Sequence, residues 1–234
     1  MIRYCLFDLD GTLLPMDQDV FIKSYLGRLA ARLAPRGYDS KALIAAIWSG
    51  TKAMVMNDGS RLNEEAFWAD FAGNFGENAR EDEPYFDEFY RTDFQLVRQD
   101  CGFDPRAAQA VRAIRSMGIR LVLATNPIFP AIATESRMAW AGLDKADFEF
   151  YTTYENSRFC KPNPAYYREI LGKLGAEPEE CLMVGNDVTE DMVTETLGMK
   201  VFLLTGCLIN KEGRDISRYP QGDLDALVDY IRSM

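Results

Sequence analysis

The sequence predicts an α/β fold, a Rossmann-like doubly wound parallel sheet core carrying an inserted all-helical cap. Three observations predict it. Short, continuously apolar runs recur and stop at small or polar residues, as parallel strands covered on both faces do. Helical patterns lie between them, and alternating strand and helix builds a doubly wound sheet. One stretch, from about Pro15 to about Gln99, breaks the alternation with helical patterns alone.

Taken in order, Arg3–Leu9 reads as a buried strand that stops at Asp10-Gly11-Thr12. Four helical stretches follow, at roughly 17–34, 39–56, 62–75 and 83–98, separated by turn signals such as Pro35-Arg36-Gly37 and Asp58-Gly59. Asp104–Met117 has apolar positions at helical spacing and closes at Gly118, a good residue just past a helix end. Arg120–Ala124 is the second strand, ending at Thr125-Asn126-Pro127, and Pro130–Ala141 a helix ending at Gly142. Phe148–Thr152 is a weaker strand. Asn163-Pro164 pairs a capping side chain with proline at the first helical position, and that helix closes near Gly175. Cys181–Val184 is a strand ending at Gly185-Asn186-Asp187, and Asp187–Leu197 a helix closing at Gly198. Lys200–Leu204 is the last strand and Leu224–Ile231 the last helix. The expected division is a core of residues 1–14 and 100–234 and a cap of residues 15–99.

Composition narrows the chemistry. The formal charge of −10 argues against a nucleic-acid binder, because counterion release needs a basic face. Five scattered cysteines without a Cys-x-x-Cys pair speak against a disulfide framework or a structural zinc site and fit a reducing compartment. The N-terminal segment carries acids at positions 8 and 10, unlike a signal peptide. No run reaches the roughly 18 apolar residues of a spanning helix. The expectation is a soluble, cytoplasmic protein without nucleic-acid or membrane partners. There is no histidine, which removes Ser-His-Asp and Cys-His catalysis and histidine metal sites. The dinucleotide fingerprint, the nucleotide P-loop and the loop of cysteine-dependent phosphatases are also absent.

Ligands of open parallel sheets bind outside the carboxyl ends of the strands. In Asp8-Leu9-Asp10-Gly11-Thr12, residues two apart can share a face. Two like charges within ~4 Å repel by about 4 kcal/mol at an effective dielectric near 20, so the pair needs a cation or a retained proton. Gly11 lets the chain turn sharply; the alternative reading is a solvated Asp-Gly turn. Thr125-Asn126 offers a hydroxyl and nearby amides to phosphate oxygens, or is a turn. Lys161 sits just ahead of a helix N-terminus, a place that favours anions, or is a surface charge. Gly185-Asn186-Asp187-Val188-Thr189-Glu190-Asp191 offers two carboxylates and an amide oxygen to a hard cation, or Asp187 caps the next helix.

These four groups, in this chain order, resemble the haloacid dehalogenase-like superfamily over the whole chain, with the helical stretch where that family's type 1 cap sits. The resemblance implies a magnesium-dependent phosphatase acting on a small phosphorylated metabolite. Asp8 would be the nucleophile that becomes an aspartyl-phosphate, and Asp10 the general acid and base. Thr125 would bind the phosphoryl group, with Gly11, Thr12 and Asn126 completing the substrate site. Lys161 would offset charge on Asp8 and the phosphate. Mg2+ would be held by the Asp8 carboxylate, the Asp10 carbonyl and an acid of the fourth motif. Many members have aspartate where this chain has Asn186, so either Asn186 ligates through its amide oxygen or Asp187 takes over with Asp191 in support; Asp187 is favoured.

Asp10 argues against a haloalkanoate dehalogenase, which lacks the second aspartate. A phosphonate hydrolase is disfavoured, although cap lysines such as Lys23, Lys41 and Lys52 leave it open. A phosphomutase would use the same core residues, and a non-catalytic phosphate-ligand-binding protein is the reading from another class. The aromatics Phe21, Tyr25, Trp48, Phe67, Trp68 and Phe71 lie mostly at helical spacing and read chiefly as cap core. The sequence names neither the substrate nor the oligomeric state.

Overall fold

The structure, a computed structural model, describes residues 1–234. Five parallel strands, β1 (Tyr4–Phe7), β2 (Arg120–Leu123), β3 (Cys181–Gly185), β4 (Lys200–Leu204) and β5 (Gln221–Gly222), form one sheet in the order β2-β1-β3-β4-β5. The strand order reverses at β1, whose neighbours are β2 on one side and β3 on the other. A crevice opens where the order reverses, outside the carboxyl ends of the strands.

Side-chain alternation divides the sheet into two dry faces. Cys5 and Phe7 of β1 point into one apolar cluster with Leu121, Leu123, Leu182 and Val184, covered by α5 (Pro105–Ser116) and α8 (Leu224–Arg232). Tyr4 and Leu6 point the other way, toward Tyr166, Tyr167 and Ile170 of α7 (Pro164–Leu174). Burial on both faces is why the strands read as unbroken apolar runs. The helices start where side chains can cap them: Asp104 accepts from the Arg106 amide ahead of α5, and Asn163 from the Ala165 amide ahead of α7, each followed by proline.

Between β1 and β2 there is no strand before α5. Residues 18–100 form α1 (Gln18–Leu33), α2 (Ser40–Val55), α3 (Asn63–Phe75), α4 (Glu83–Arg91) and shorter 3-10 turns. Asp17 and Asp39 cap α1 and α2 through their side chains. The entry and exit of this stretch lie side by side, with Met16 bridged to Cys101 and the Gly102 amide 2.7 Å from the Pro15 carbonyl. Its apolar residues do not form a core of their own. They continue the cluster on the α5/α8 face of the sheet, through contacts such as Phe21 and Tyr25 on Phe129. Of the aromatics expected inside it, all are buried except Trp48, which is 49% exposed.

Three expectations differ from the structure in part, and one strand lies outside the sequence pattern. The helix expected at 83–98 breaks at Thr92 (φ −118°, ψ −85°), whose hydroxyl donates to the Glu88 carbonyl (2.7 Å), and continues as a 3-10 turn. Phe148–Thr152, the weaker strand, does pair in parallel with β2, through the Glu149 amide to the Leu121 carbonyl, the Leu123 amide to the Phe150 carbonyl and the Thr152 amide to the Leu123 carbonyl (2.8–3.1 Å), but over too short a run to extend the sheet as a full strand. The stretch expected as a helix at Asp187–Leu197 opens as a helix would, with the Asp187 side chain accepting from the Thr189 and Glu190 amides, but it runs through turns into a 3-10 segment at Met192–Leu197 and not an α-helix. The two-residue β5 escapes the sequence pattern altogether. No helix is long and apolar enough to cross a membrane.

Candidate active site

Asp8 is the first residue beyond β1. Its amide donates to the Val184 carbonyl (2.9 Å), so the β1–β3 ladder fixes its backbone. Its side chain is only 11% exposed. Oδ1 accepts from Lys161 Nζ (2.8 Å) and Oδ2 faces the Thr12 hydroxyl (3.1 Å), which also faces Asn186 Oδ1 (2.9 Å). Lys161, itself buried, reaches Asp191 Oδ1 as well (2.7 Å), and Asp191 Oδ2 accepts from the Asp187 amide (3.0 Å). One ammonium thus joins the loops after β1 and β3. Burial alone would lower the Lys161 pKa, but the Asp191 and Asp8 carboxylates outweigh it and hold the ammonium well above its usual value. Burial pushes the Asp191 carboxyl up, Lys161 opposes it and Asp8 adds repulsion, leaving it at about 7.

Asp10 lies in the turn that follows. Its Oδ2 pairs with Arg137 Nη1, while Oδ1 is buried without a hydrogen-bond partner. Burial raises its pKa; Arg137 opposes this and the Asp8 charge reinforces it. Gly11 has φ +85°, and a Cβ there would lie 2.4 Å from Asn186 Nδ2. A glycine is needed both for the turn and for the close approach of the two loops.

A cavity of about 140 Å³ opens above these groups. Asp8, Asp10, Thr125, Asn126, Asn186, Asp187 and Asp191 line it, together with Glu190. Lys161 does not line it and reaches Asp8 from behind; Gly11 and Thr12 support the rim. Thr125 is held by its carbonyl, which accepts from the Thr152 and Tyr166 hydroxyls (2.7 and 2.8 Å). Asn126 Nδ2 faces both Glu190 oxygens at 3.3 Å, and its Oδ1 is buried and unpartnered.

Two residues were missed by sequence reasoning. Arg137, on α6 (Ala131–Trp140), is fully buried, sits 4.3 Å over the Phe129 ring and holds Asp10. In the sequence it reads as a basic residue in a helix's last turn, a common surface feature. Glu190 sits inside the fourth motif, but its direction depends on the turn that Asp187 makes. Burial drives its pKa up; Lys161 opposes this, Asp187 reinforces it, and it reaches about 7.

Five acids line the cavity and no lysine or arginine does; the buried Lys161 and Arg137 balance two of them. The remainder must bind protons or a cation. No three acidic, cysteine or histidine side chains converge into a ready-made metal cluster. Asp191 accepts from Lys161 and from the Asp187 amide, which ties it to the loop that carries Asp187. Asn186 Oδ1 faces Thr12, and its Nδ2 donates to the Cys207 carbonyl (2.6 Å). Asp187 Oδ1 is taken by two amides, leaving Oδ2. What remains is an Asp8 oxygen, the Asp10 carbonyl, free of hydrogen bonds, and Asp187 Oδ2. That sparse oxygen set, with excess negative charge, suits Mg2+, which keeps most of its waters and takes one or two carboxylates.

Residues 2–193 match the profile of the haloacid dehalogenase-like hydrolases. The chain is 28% identical over 137 residues to the glyceraldehyde 3-phosphate phosphatase of Methanothermobacter thermautotrophicus, a match covering 55% of this chain and 58% of that enzyme. It is 25% identical over 231 residues to the phosphoglycolate phosphatase of Pectobacterium atrosepticum, covering 98% and 91%. Among solved structures, a 2-haloacid dehalogenase from Pseudomonas syringae superimposes over 100% of this chain and 99% of its own, with a TM-score of 0.64 at 18% identity. At that identity the likeness speaks for the fold alone.

Proposed function

The chain belongs to the haloacid dehalogenase-like hydrolase family, and we propose that within it this protein is a magnesium-dependent phosphatase of small phosphorylated metabolites. The observation that carries the reading is Asp10. Its Oδ1 is buried and unpartnered, and the residue lines the same cavity as Asp8, which supports the reading that a second carboxyl there protonates the leaving oxygen. Halide displacement has no use for that proton, since halide leaves as an anion. The two curated relatives are both phosphatases by name.

In the proposed mechanism an Asp8 carboxylate oxygen attacks phosphorus as the bond to the leaving oxygen breaks, giving an aspartyl-phosphate. Asp10 donates its proton to that oxygen and then takes one from the water that attacks the phosphorus, releasing phosphate and restoring Asp8. The proton sits on the unpartnered Oδ1, while Oδ2 stays paired with Arg137. Thr125 and the amides of the Asp10–Thr12 turn bind phosphoryl oxygens, with Asn126 beside them. Lys161 holds Asp8 in line and offsets its charge. Asp8, the Asp10 carbonyl and Asp187 would hold Mg2+, with Asn186 behind them; the ion would supply positive charge against which an anionic ester can approach an acidic cavity. Residues 15–99 act as the cap over the core of residues 1–14 and 100–234, excluding bulk water.

The test is release of para-nitrophenol from para-nitrophenyl phosphate. Turnover should require Mg2+ and vanish in Asp8→Asn. Turnover indifferent to both sinks the reading, and a folded protein that turns over no ester supports a non-catalytic phosphate binder instead.

A further inference from the structure

A second cavity, of about 90 Å³, adjoins the acidic one; Ile22, Ile128 and Phe129 line both. None of its fourteen lining residues is charged. Phe67, Trp68, Phe86, Tyr90 and Tyr154 supply much of the wall. Its polar atoms are mostly used up. The Tyr25 and Tyr90 hydroxyls bond to each other (2.9 Å), and the Thr51 hydroxyl donates to the Ile47 carbonyl (2.8 Å). The Trp68 indole N–H is buried and lacks a hydrogen bond of sound geometry, although the Tyr154 hydroxyl is close by.

Resting on the phosphatase reading, we infer that this cavity receives the alcohol part of the substrate, and that the substrate is a phosphate monoester of an uncharged, apolar alcohol of single-ring size or smaller. Three arguments carry it. First, the two cavities share Ile22, Ile128 and Phe129 as walls, so a group esterified to a phosphate in the acidic cavity has this space directly beside it. Second, a carboxylate or a polyhydroxylated sugar placed there loses water and meets no charged group and only a few neutral donors, the Trp68 and Trp48 indole N–H groups and the Tyr154 hydroxyl, too few to repay the loss. Third, a dry cavity of ~150 Å³ takes a benzene ring, so one of about 90 Å³ admits a branched alkyl group, or one ring with small side-chain shifts, and not a nucleoside. The substrate differs in class from those for which the two curated relatives are named.

The experiment uses the Mg2+-loaded full chain and compares kcat/KM for methyl, isobutyl and benzyl phosphate with that for phosphoglycolate and glucose 6-phosphate. These leaving alcohols have similar intrinsic reactivity, so selectivity reports binding. Each methylene buried should raise kcat/KM about fourfold, and isobutyl and benzyl phosphate should exceed methyl phosphate by at least tenfold and phosphoglycolate by at least a hundredfold. Thr51→Arg, which sets a cation in the wall, should shrink the benzyl-to-phosphoglycolate ratio by tenfold or more. Magnesium-dependent turnover with no rise along the alkyl series, or with phosphoglycolate or glucose 6-phosphate preferred, overturns this inference and leaves the phosphatase reading intact. Absence of turnover on every ester, para-nitrophenyl phosphate included, overturns both.

Discussion

Replacing Lys161 with methionine should destabilise the protein, and more so at high pH. Lys161 Nζ lies 2.8 Å from Asp8 Oδ1 and 2.7 Å from Asp191 Oδ1, all three side chains being almost fully buried. At an effective dielectric near 20 each contact is worth about 6 kcal/mol gross. Mutual repulsion of the carboxylates and the burial of three charges cancel most of that. Deleting one partner of such a buried arrangement costs ~3–5 kcal/mol, because the remaining charges are stranded. The stranded carboxyls respond by taking protons. Asp191 already stands at about 7 with Lys161 present, and without it the folded-state value rises further. A carboxyl raised above its unfolded value contributes stability below the unfolded pKa and loses it as pH rises through the folded one, at about 1.4 kcal/mol per pH unit. Urea unfolding of the metal-free protein, followed by far-ultraviolet circular dichroism, should therefore show the variant weaker by ~3–5 kcal/mol at pH 8, with the gap narrowing toward pH 5. A loss under 1 kcal/mol at pH 8, or a gap that ignores pH, would refute the reasoning.

Gly11→Ala should cost roughly 1–3 kcal/mol from the positive φ, with the 2.4 Å overlap on Asn186 adding to it; thermal melts and kcat should fall together, and an unchanged melting temperature would contradict the geometry. Glu190→Gln should flatten the pH dependence of metal-free stability between about pH 4.5 and 7, the window between the ordinary and the raised value. That group accounts for up to ~3 kcal/mol lost across the window as pH rises, so an unaltered slope would show that Glu190 is not the source. Arg137→Met strands Asp10 and should lower stability by ~2–4 kcal/mol at pH 8, read by denaturant titration; a variant as stable as the parent would mean that the pair contributes nothing net.

The sheet was legible because strands dry on both faces leave an unmistakable apolar run, as Cys181–Val184 does, and because Asp104, Asn163 and the prolines after them announce helix starts. The elements that failed are those whose change of helical form the apolar pattern does not mark. The chain leaves α-helical geometry at Thr92 and runs into 3-10 turns beyond Asp187, and neither event has a periodicity to read. For the candidate site, Asp8, Asp10, Thr125, Asn126 and Asp187 were legible as polar residues at strand ends, and the structure brings them to one cavity. Arg137 was not, since a single arginine on a helix looks the same whether it faces water or a buried carboxylate. Asp191 was read for its type and spacing, whereas the partner that engages it comes from thirty residues earlier in the chain.

The apolar interior that runs unbroken from the sheet into the helical stretch bears on how such a protein can diversify. Phe21 and Tyr25 pack on Phe129, and Phe94 lies 5.0 Å from Trp140, so the seam between the two parts is itself close-packed. Grafting these helices onto a sibling sheet would carry over one half of a jigsaw and leave the other behind. A change in the helical stretch that leaves this seam unrepacked should therefore cost stability before it alters chemistry.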